Sequence, residues 1–428
     1  MRDLTLPLTL TLPLTLPFFD SLYDQEYRFP SGTQHGIWIN QYGYGAAWGS
    51  AAACCCPALA DAYAYARFMR IGDGPDHVHL GGRHAQALCT RVNGHVNGNG
   101  QASFAASVQD AVRRFVPGAV IGDLRRLPGG ASQQTWSFMV ASSGERLILR
   151  RSSGWQREEN PSVPFLRLAN EAQLLQQVAA NSVPVPTVRY VLQPRDGLGE
   201  GYFMAHVAGE ALPQRILGQP EFEQARARLA RQCGAALARI HAVSLSSLDF
   251  LRRSDPEAVI RRGYEGHRAN GQARPVFELA FQWLRGHLPQ PQEPALVHGD
   301  FRNGNLMVNT DGLTAVLDWE LAYIGDPMAD LSWLCVNSWR FGHIDNPVGG
   351  FGSREDLIAG YEAAGGRPVD RQALMFWEIH GSLRWGLICQ DMTRAYLGGA
   401  DRSVERAAIG RRTSETEIDL MRLLGEQV

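Results

Sequence analysis

Residues 296–331, LVHGDFRNGNLMVNTDGLTAVLDWELAYIGDPMADL, hold the residue types and spacing best suited to chemistry. Leu306–Val308 and Leu313–Leu317 are apolar runs, and Asp311-Gly312 between them is a strong hairpin signal. Asn305 precedes the first run and Asp318 follows the second, each 6.5 positions from the midpoint of Asp311 and Gly312. Antiparallel pairing with that symmetry predicts that both side chains return to one end of the hairpin. An amide oxygen beside a carboxylate is a hard oxygen pair suited to Mg²⁺. Asp300 lies five residues before Asn305, on the loop that leads into that end, where it could take a proton from a hydroxyl. A proton acceptor beside a cation held on phosphate oxygens is what phosphoryl transfer requires, because the protein chiefly positions the reactants and neutralises charge. A lone H-G-D is usually a turn. The joint spacing H-x-D-x-x-x-x-N, hairpin, Asp carries the reading.

The elements around this segment predict an α+β fold of two unequal lobes. Strand candidates at residues 120–127, 135–141, 146–151 and 201–207 surround one helix at 165–180. From there the pattern is helical, at 222–242, 275–288, 353–364, 371–392 and 413–424. We divide the chain into a low-complexity extension at 1–102, a nucleotide-binding lobe at 103–207 and a helical lobe at 208–428. Ligands commonly sit at such a junction. On the helix at 165–180, Leu168, Glu171, Leu175 and Val178 form one stripe. A carboxylate among leucines needs a partner, and Arg150 on the preceding strand is the natural one.

Composition removes several alternatives. The 428 residues carry a formal charge of −2, from 41 basic and 43 acidic side chains, so no basic field exists to capture nucleic acid or an acidic membrane. All 41 basic residues are arginine, which excludes Schiff-base and lysine-nucleophile chemistry. The seven cysteines are irregularly spaced and include no C-x-x-C, which fits buried thiols rather than a disulfide scaffold or a zinc site. No G-x-S-x-G or H-E-x-x-H occurs. In the extension, residues 4–17 alternate Leu and Thr but are broken by Pro7, Pro13 and Pro17, which suits neither a membrane helix nor a strand interior. With no convincing export signal, we expect a cytoplasmic location.

The 296–331 segment resembles the catalytic and metal loops of the aminoglycoside phosphotransferase family, relatives of the protein kinases. Gly325-Asp326-Pro327, Asp330-Leu331, Trp339-Arg340-Phe341-Gly342 and Gly410-Arg411-Arg412, with Glu415 and Glu417, resemble more narrowly the kinase-like domain linked to some acyl-CoA dehydrogenases. The resemblance spans about residues 103–424 and implies a protein-kinase-like fold with ATP and Mg²⁺ as cofactors. It makes Asp300 the catalytic base, Asn305 and Asp318 the metal ligands, His298 a brace and Asp330 the residue that pins the loop. It makes the short loop carrying Gly129, Gly130 and Ser132 a cover for the phosphates. No Walker loop is present. Arg150 takes the place of the phosphate-contacting lysine, paired with Glu171. Residues 202–206, including Met204 and His206, become the hinge whose backbone meets the purine.

Acceptor-site candidates in the helical lobe are Glu320, Trp339, Arg340, Asp345, Glu378, Arg384, Trp385, Arg411 and Arg412. That set suits an anionic or partly apolar molecule better than a polycation. The expected activity is transfer of the γ-phosphate to a hydroxyl of a small molecule, of hydroxyacyl type. A nucleotide-binding scaffold without catalysis and a true aminoglycoside kinase are the alternatives. ATP against GTP and the oligomeric state are left open. We read His241, at the end of a helix with Leu237 and Ile240, as an ordinary helix-end histidine.

Overall fold

The computed structural model describes residues 37–39, 45–47, 98–127, 133–152 and 165–426. The chain divides into two units, Met1–Gly94 and His95–Val428. In the first, β1 (Ile37–Ile39) and β2 (Gly45–Ala47) form an antiparallel pair. The rest of the predicted extension lies outside the described residues until α1 (Gly98–Arg113) begins, four residues before the predicted edge of the extension.

The second unit opens with an antiparallel sheet. Its strands are β3 (Ile121–Arg126), β4 (Gln133–Val140), β5 (Glu145–Ser152), β6 (Val188–Val191) and β7 (Gly201–Ala205), in spatial order β3-β4-β5-β7-β6. Side chains alternate across a strand, so β5 points Leu147 and Leu149 to one face and Arg150 to the other. Leu147 and Leu149 pack with Phe138, Phe203 and Val108 and Val112 of α1. The opposite face receives α2 (Leu168–Ala180), whose predicted stripe of Leu168, Glu171, Leu175 and Val178 is buried throughout. Strand β6 has no counterpart in the sequence reading: Val183-Pro-Val-Pro masks the short apolar run that follows it.

The helical part contains α3 (Pro213–Gly218), α4 (Glu223–His241), α5 (Pro256–Asn270) and α6 (Pro275–Gly286). Strand β8 (Ala295–Val297) and the hairpin β9 (Leu306–Asn309) and β10 (Gly312–Val316) follow. Next come β11 (Tyr323–Gly325), α7 (Met328–Cys335), α8 (Arg354–Ala363), α9 (Arg371–Leu397), α10 (Val404–Gly410) and α11 (Thr413–Gly425). Helices α4 and α8 cross closely. A Cβ on Gly234 would stand 2.1 Å from Leu357 O, and one on Gly360 would stand 2.2 Å from Arg231 O, so both positions require glycine. This contact sets α4 against the core of the lobe and brings its last residue, His241, under the β8–α7 region. Strand β8 pairs antiparallel with β11, so the two segments flanking the hairpin are tied together. Cys233, Cys335 and Cys389 are buried free thiols. Among the described residues no helix is long and apolar enough to cross a membrane.

Candidate active site

The β9–β10 hairpin carries the site, with a register one residue from the predicted one. Asn309 pairs with Gly312, which puts Thr310 and Asp311, not Asp311 and Gly312, at the tip. The cause is local. Asn309 Oδ1 accepts from the N–H of Asp311 at 2.8 Å and of Gly312 at 3.1 Å, closing the turn early. A bulge between Leu313 and Ala315 then takes up one residue. Leu317 N–H donates to Asn305 O at 2.8 Å, so Asn305 stands opposite Leu317, and Asp318 is the next residue along. Asp318 adopts a left-handed backbone, φ 65°, which costs a non-glycine residue about 1 kcal/mol or more and marks a position held by its surroundings.

Asp300 and Asn305 are in direct contact: Asn305 Nδ2 donates to Asp300 Oδ2 at 2.6 Å and to Asp300 O at 3.0 Å. The other carboxylate oxygen, Oδ1, accepts from Trp333 Nε1 at 2.9 Å and Arg302 Nε at 3.1 Å. Both oxygens are therefore oriented, while a carboxylate offers about four lone-pair sites, leaving Oδ2 able to accept one more proton. Because the Asn305 amide nitrogen is committed to Asp300, the amide oxygen is its remaining donor atom for a cation.

The loop bearing Asp300 is fixed from behind. Asp330 is fully buried and accepts from the N–H of His298 at 2.7 Å and of Gly299 at 2.9 Å. His298, also fully buried, accepts from Asp300 N–H on Nδ1 at 3.1 Å, so its proton sits on Nε2 and is donated to Leu317 O at 3.1 Å. Burial pushes the His298 pKa below its ordinary value, against the pull of Asp330, Asp300 and Asp318. A neutral ring bridging the Asp300 loop and the residue before Asp318 fits a brace.

On the sheet side, Arg150 joins three carboxylates. Its Nε lies 3.3 Å from Glu171 Oε2, and its Nη2 lies 2.7 Å from Asp318 Oδ1 and 3.2 Å from Glu320 Oε2. Glu171 is 1% exposed and also accepts from Trp319 N–H at 3.3 Å. Burial opposes the Arg150 charge, and Glu171, Asp318 and Glu320 outweigh it, so the guanidinium is held above its ordinary pKa. Burial pushes the Glu171 carboxyl up, with Arg150 pulling the other way. Removing Arg150 leaves that carboxylate buried without its counter-charge, so Arg150→Met should destabilise by about 3–5 kcal/mol. The carboxyl then keeps its proton to higher pH in the folded than in the unfolded chain, and stability falls as pH rises through that interval. Urea denaturation should accordingly show a larger deficit at about pH 8 than at about pH 5.

The remaining expected residues are placed as follows. Gly129, Gly130 and Ser132 lie outside the described residues. Met204 is on β7, and the His206 N–H donates to Arg146 O at 3.1 Å, committing that group to the sheet. Glu320, an acceptor candidate, sits on Arg150 instead. Arg340 and Glu378 pair with each other at 3.0 Å, and Glu378, 2% exposed, also binds Arg354 at 2.7 and 2.8 Å. The Glu378 carboxylate is thus shared between two guanidiniums within the protein. Trp339 and Trp385 extend in series from Trp333, the ring that holds Asp300, with centroids 5.2 and 4.7 Å apart and planes tilted by 58° and 60°. Asp326 caps α7, accepting from Met328 N–H at 2.9 Å.

Sequence reasoning missed Trp333 and His241. Trp333 holds Asp300 but lies in an apolar helix run, where a tryptophan reads as core. His241 is not an ordinary helix-end histidine: its Nε2 lies 3.3 Å from Asp330 Oδ2 and its Nδ1 3.0 Å from the Tyr361 hydroxyl. Those partners are 89 and 120 residues away, and no local pattern signals them.

A family model described as phosphotransferase enzyme family matches residues 123–371, which contain the hairpin, the Asp300 loop and Arg150. The chain belongs to that family. The chain is 30% identical over 247 residues to acyl-CoA dehydrogenase family member 10 of Mus musculus, covering 53% of this chain and 22% of that protein. It is 26% identical over 329 residues to acyl-CoA dehydrogenase family member 11 of Gallus gallus, covering 70% and 40%. The chain thus spans less than half the length of these relatives. Among solved structures it resembles one from Ralstonia eutropha assigned as an aminoglycoside phosphotransferase, with TM-score 0.60, 21% identity and coverage of 75% and 98%. It also resembles spectinomycin phosphotransferase in complex with ADP and spectinomycin, with TM-score 0.53, 13% identity and coverage of 76% and 98%. These likenesses establish the two-lobed kinase-like fold, and the resemblance read from the sequence is borne out.

Proposed function

We propose that the protein transfers the γ-phosphate of ATP, with Mg²⁺, to a hydroxyl of a small molecule of hydroxyacyl type. What supports this reading is the contact of Asn305 with Asp300 Oδ2 at one end of the hairpin, the place of Asp318 one residue beyond Leu317 opposite Asn305, and Arg150 reaching across from the sheet onto Asp318. The donor set fits the cation. An amide oxygen and one carboxylate are hard ligands that leave most positions for phosphate oxygens and water, as Mg²⁺ prefers. Among the described residues no cluster of three His, Cys, Asp or Glu competes as a metal cage.

In this reading Asn305 and Asp318 hold the cation, which when bound neutralises the phosphate charge. Asp300 Oδ2 accepts the acceptor's hydroxyl proton as the hydroxyl oxygen bonds to the γ-phosphorus, and the bond from that phosphorus to the β–γ bridging oxygen breaks to release ADP. Trp333 and Arg302 keep the base aimed. Arg150 bridges phosphate oxygens, its planar fork being suited to two at once. The hydroxyacyl class is supported by the acyl-CoA dehydrogenase names of the relatives.

The test is mass spectrometry of hydroxylated compounds, acyl thioesters included, incubated with the protein, ATP and Mg²⁺. We expect one hydroxylated acyl thioester to gain a single phosphate as ADP accumulates. Nucleotide binding with no phosphorylated product from any acceptor would instead favour a silent scaffold.

A further inference from the structure

A cavity of about 200 Å³ lies between α5, α9 and the loop entering β11. Val259, Leu321, Leu387 and Ile388 give it apolar walls, and Arg252, Arg262 and Arg384 converge in it beside Tyr323. Among the described residues none of these three arginines pairs with a carboxylate. Arg262 donates to the Ser254 hydroxyl, Arg384 donates to Gly299 O at 2.9 Å, and Arg252 lies over the Tyr323 ring at 4.6 Å with its Nε buried and unpartnered. Asp391 also lines the cavity, paired there with Arg394 at 2.8 Å, while Asp326 binds Trp377 at 2.8 Å and Asp330 the His298 and Gly299 amides.

Burial pushes the Arg252 guanidinium below its ordinary pKa, and Arg262 and Arg384 push it further. Arginine nevertheless stays charged in proteins, so three like charges share a partly desolvated space. His380, on the same wall, is driven down to about 3 by burial and Arg384, and adds no charge. A bound anion would relieve this repulsion, and a bound cation would worsen it.

The cavity adjoins the Asp300 centre through shared parts. Arg384 lies on the Trp333 ring at 4.4 Å, and the indole nitrogen of that ring holds Asp300 Oδ1 at 2.9 Å. Arg384 also binds the carbonyl of Gly299, the residue before Asp300.

We infer that this cavity receives an anionic group of the acceptor, a carboxylate or phosphate ester on an apolar body, with Arg252, Arg262 and Arg384 setting specificity. The word acceptor rests on the phosphotransferase reading above. The anion selectivity rests on the cavity alone.

The test is calorimetry on the full chain with four probes: a medium-chain hydroxyalkanoate, its methyl ester, the corresponding hydroxyalkyl phosphate and the corresponding hydroxyalkylamine. One or both anions should bind at least about tenfold more tightly than the ester, with no binding of the amine. The carboxylate and phosphate arms show which anion is read. Arg262→Gln should remove about tenfold of the preference and Arg262→Lys should keep most of it, with stabilisation by ATP and Mg²⁺ unchanged in both. Equal binding of acid and ester, no binding of either anion, or an intact preference in Arg262→Gln would overturn the inference. An Arg262-dependent anion preference without phosphorylation of any acceptor would sink the phosphotransfer reading and leave this one standing. Phosphorylation of an acceptor by both wild type and Arg262→Gln, with no preference for the anionic over the neutral form in either, would do the reverse.

Discussion

Asp300→Asn should lower phosphate transfer by about 10²–10⁴-fold, the usual contribution of a positioned general base. Nucleotide binding should be nearly unchanged. The amide keeps the size of the carboxylate, and its oxygen can still accept from Trp333 Nε1 and Arg302 Nε, which now hold Oδ1. What it loses is the capacity to take a proton, and its N–H₂ faces the donor amide of Asn305, now 2.6 Å from Oδ2. Steady-state ADP production with a phosphorylated acceptor, set beside the melting-temperature rise given by ATP and Mg²⁺, separates the two effects. A variant that retains more than about a tenth of the wild-type rate would remove Asp300 from the base role.

The second large effect is on stability. Asp330→Ala should destabilise the fold by about 2–6 kcal/mol, since two buried N–H groups lose their acceptor at about 1–3 kcal/mol each. The carboxylate is fully buried and serves His298 N–H and Gly299 N–H, with His241 on the same oxygen as His298. Gly299 has φ 80°, and a Cβ there would stand 2.5 Å from Leu321 O, so the loop has little room to find another arrangement. Activity should fall with stability, because the same loop aims Asp300. Urea denaturation measures the first quantity. A loss below about 1 kcal/mol would mean that the loop holds its shape without Asp330.

Much of this architecture is written locally. The Asp-Gly turn between apolar runs announces the hairpin, and the Leu/Glu171/Leu stripe announces both a buried helix face and its need for a cation, which Arg150 supplies at 3.3 Å. The register is less legible, because the choice of turn depends on the Asn309 side chain capturing two amides, a competition that residue symmetry does not reveal. Contacts made across long sequence separations are illegible. Nothing near Trp333 or His241 announces Asp300 or Asp330. Likewise, Arg340 and Glu378 read as free polar groups until Arg354 is seen to close an ion triad around Glu378. The arginine cavity draws on α5, the loop entering β11 and α9, so no single stretch of sequence contains it.

The account depends most on the pairing of Asn305 and Asp318 as a cation site for bound nucleotide. Isothermal titration of ATP, with and without Mg²⁺, into the wild type and into Asp318→Asn and Asn305→Ala tests it directly. ATP should bind the wild type much more tightly with Mg²⁺ than without, and each substitution should erase most of that difference. Binding that ignores Mg²⁺ in the wild type, or a Mg²⁺ dependence that survives both substitutions, would contradict the account.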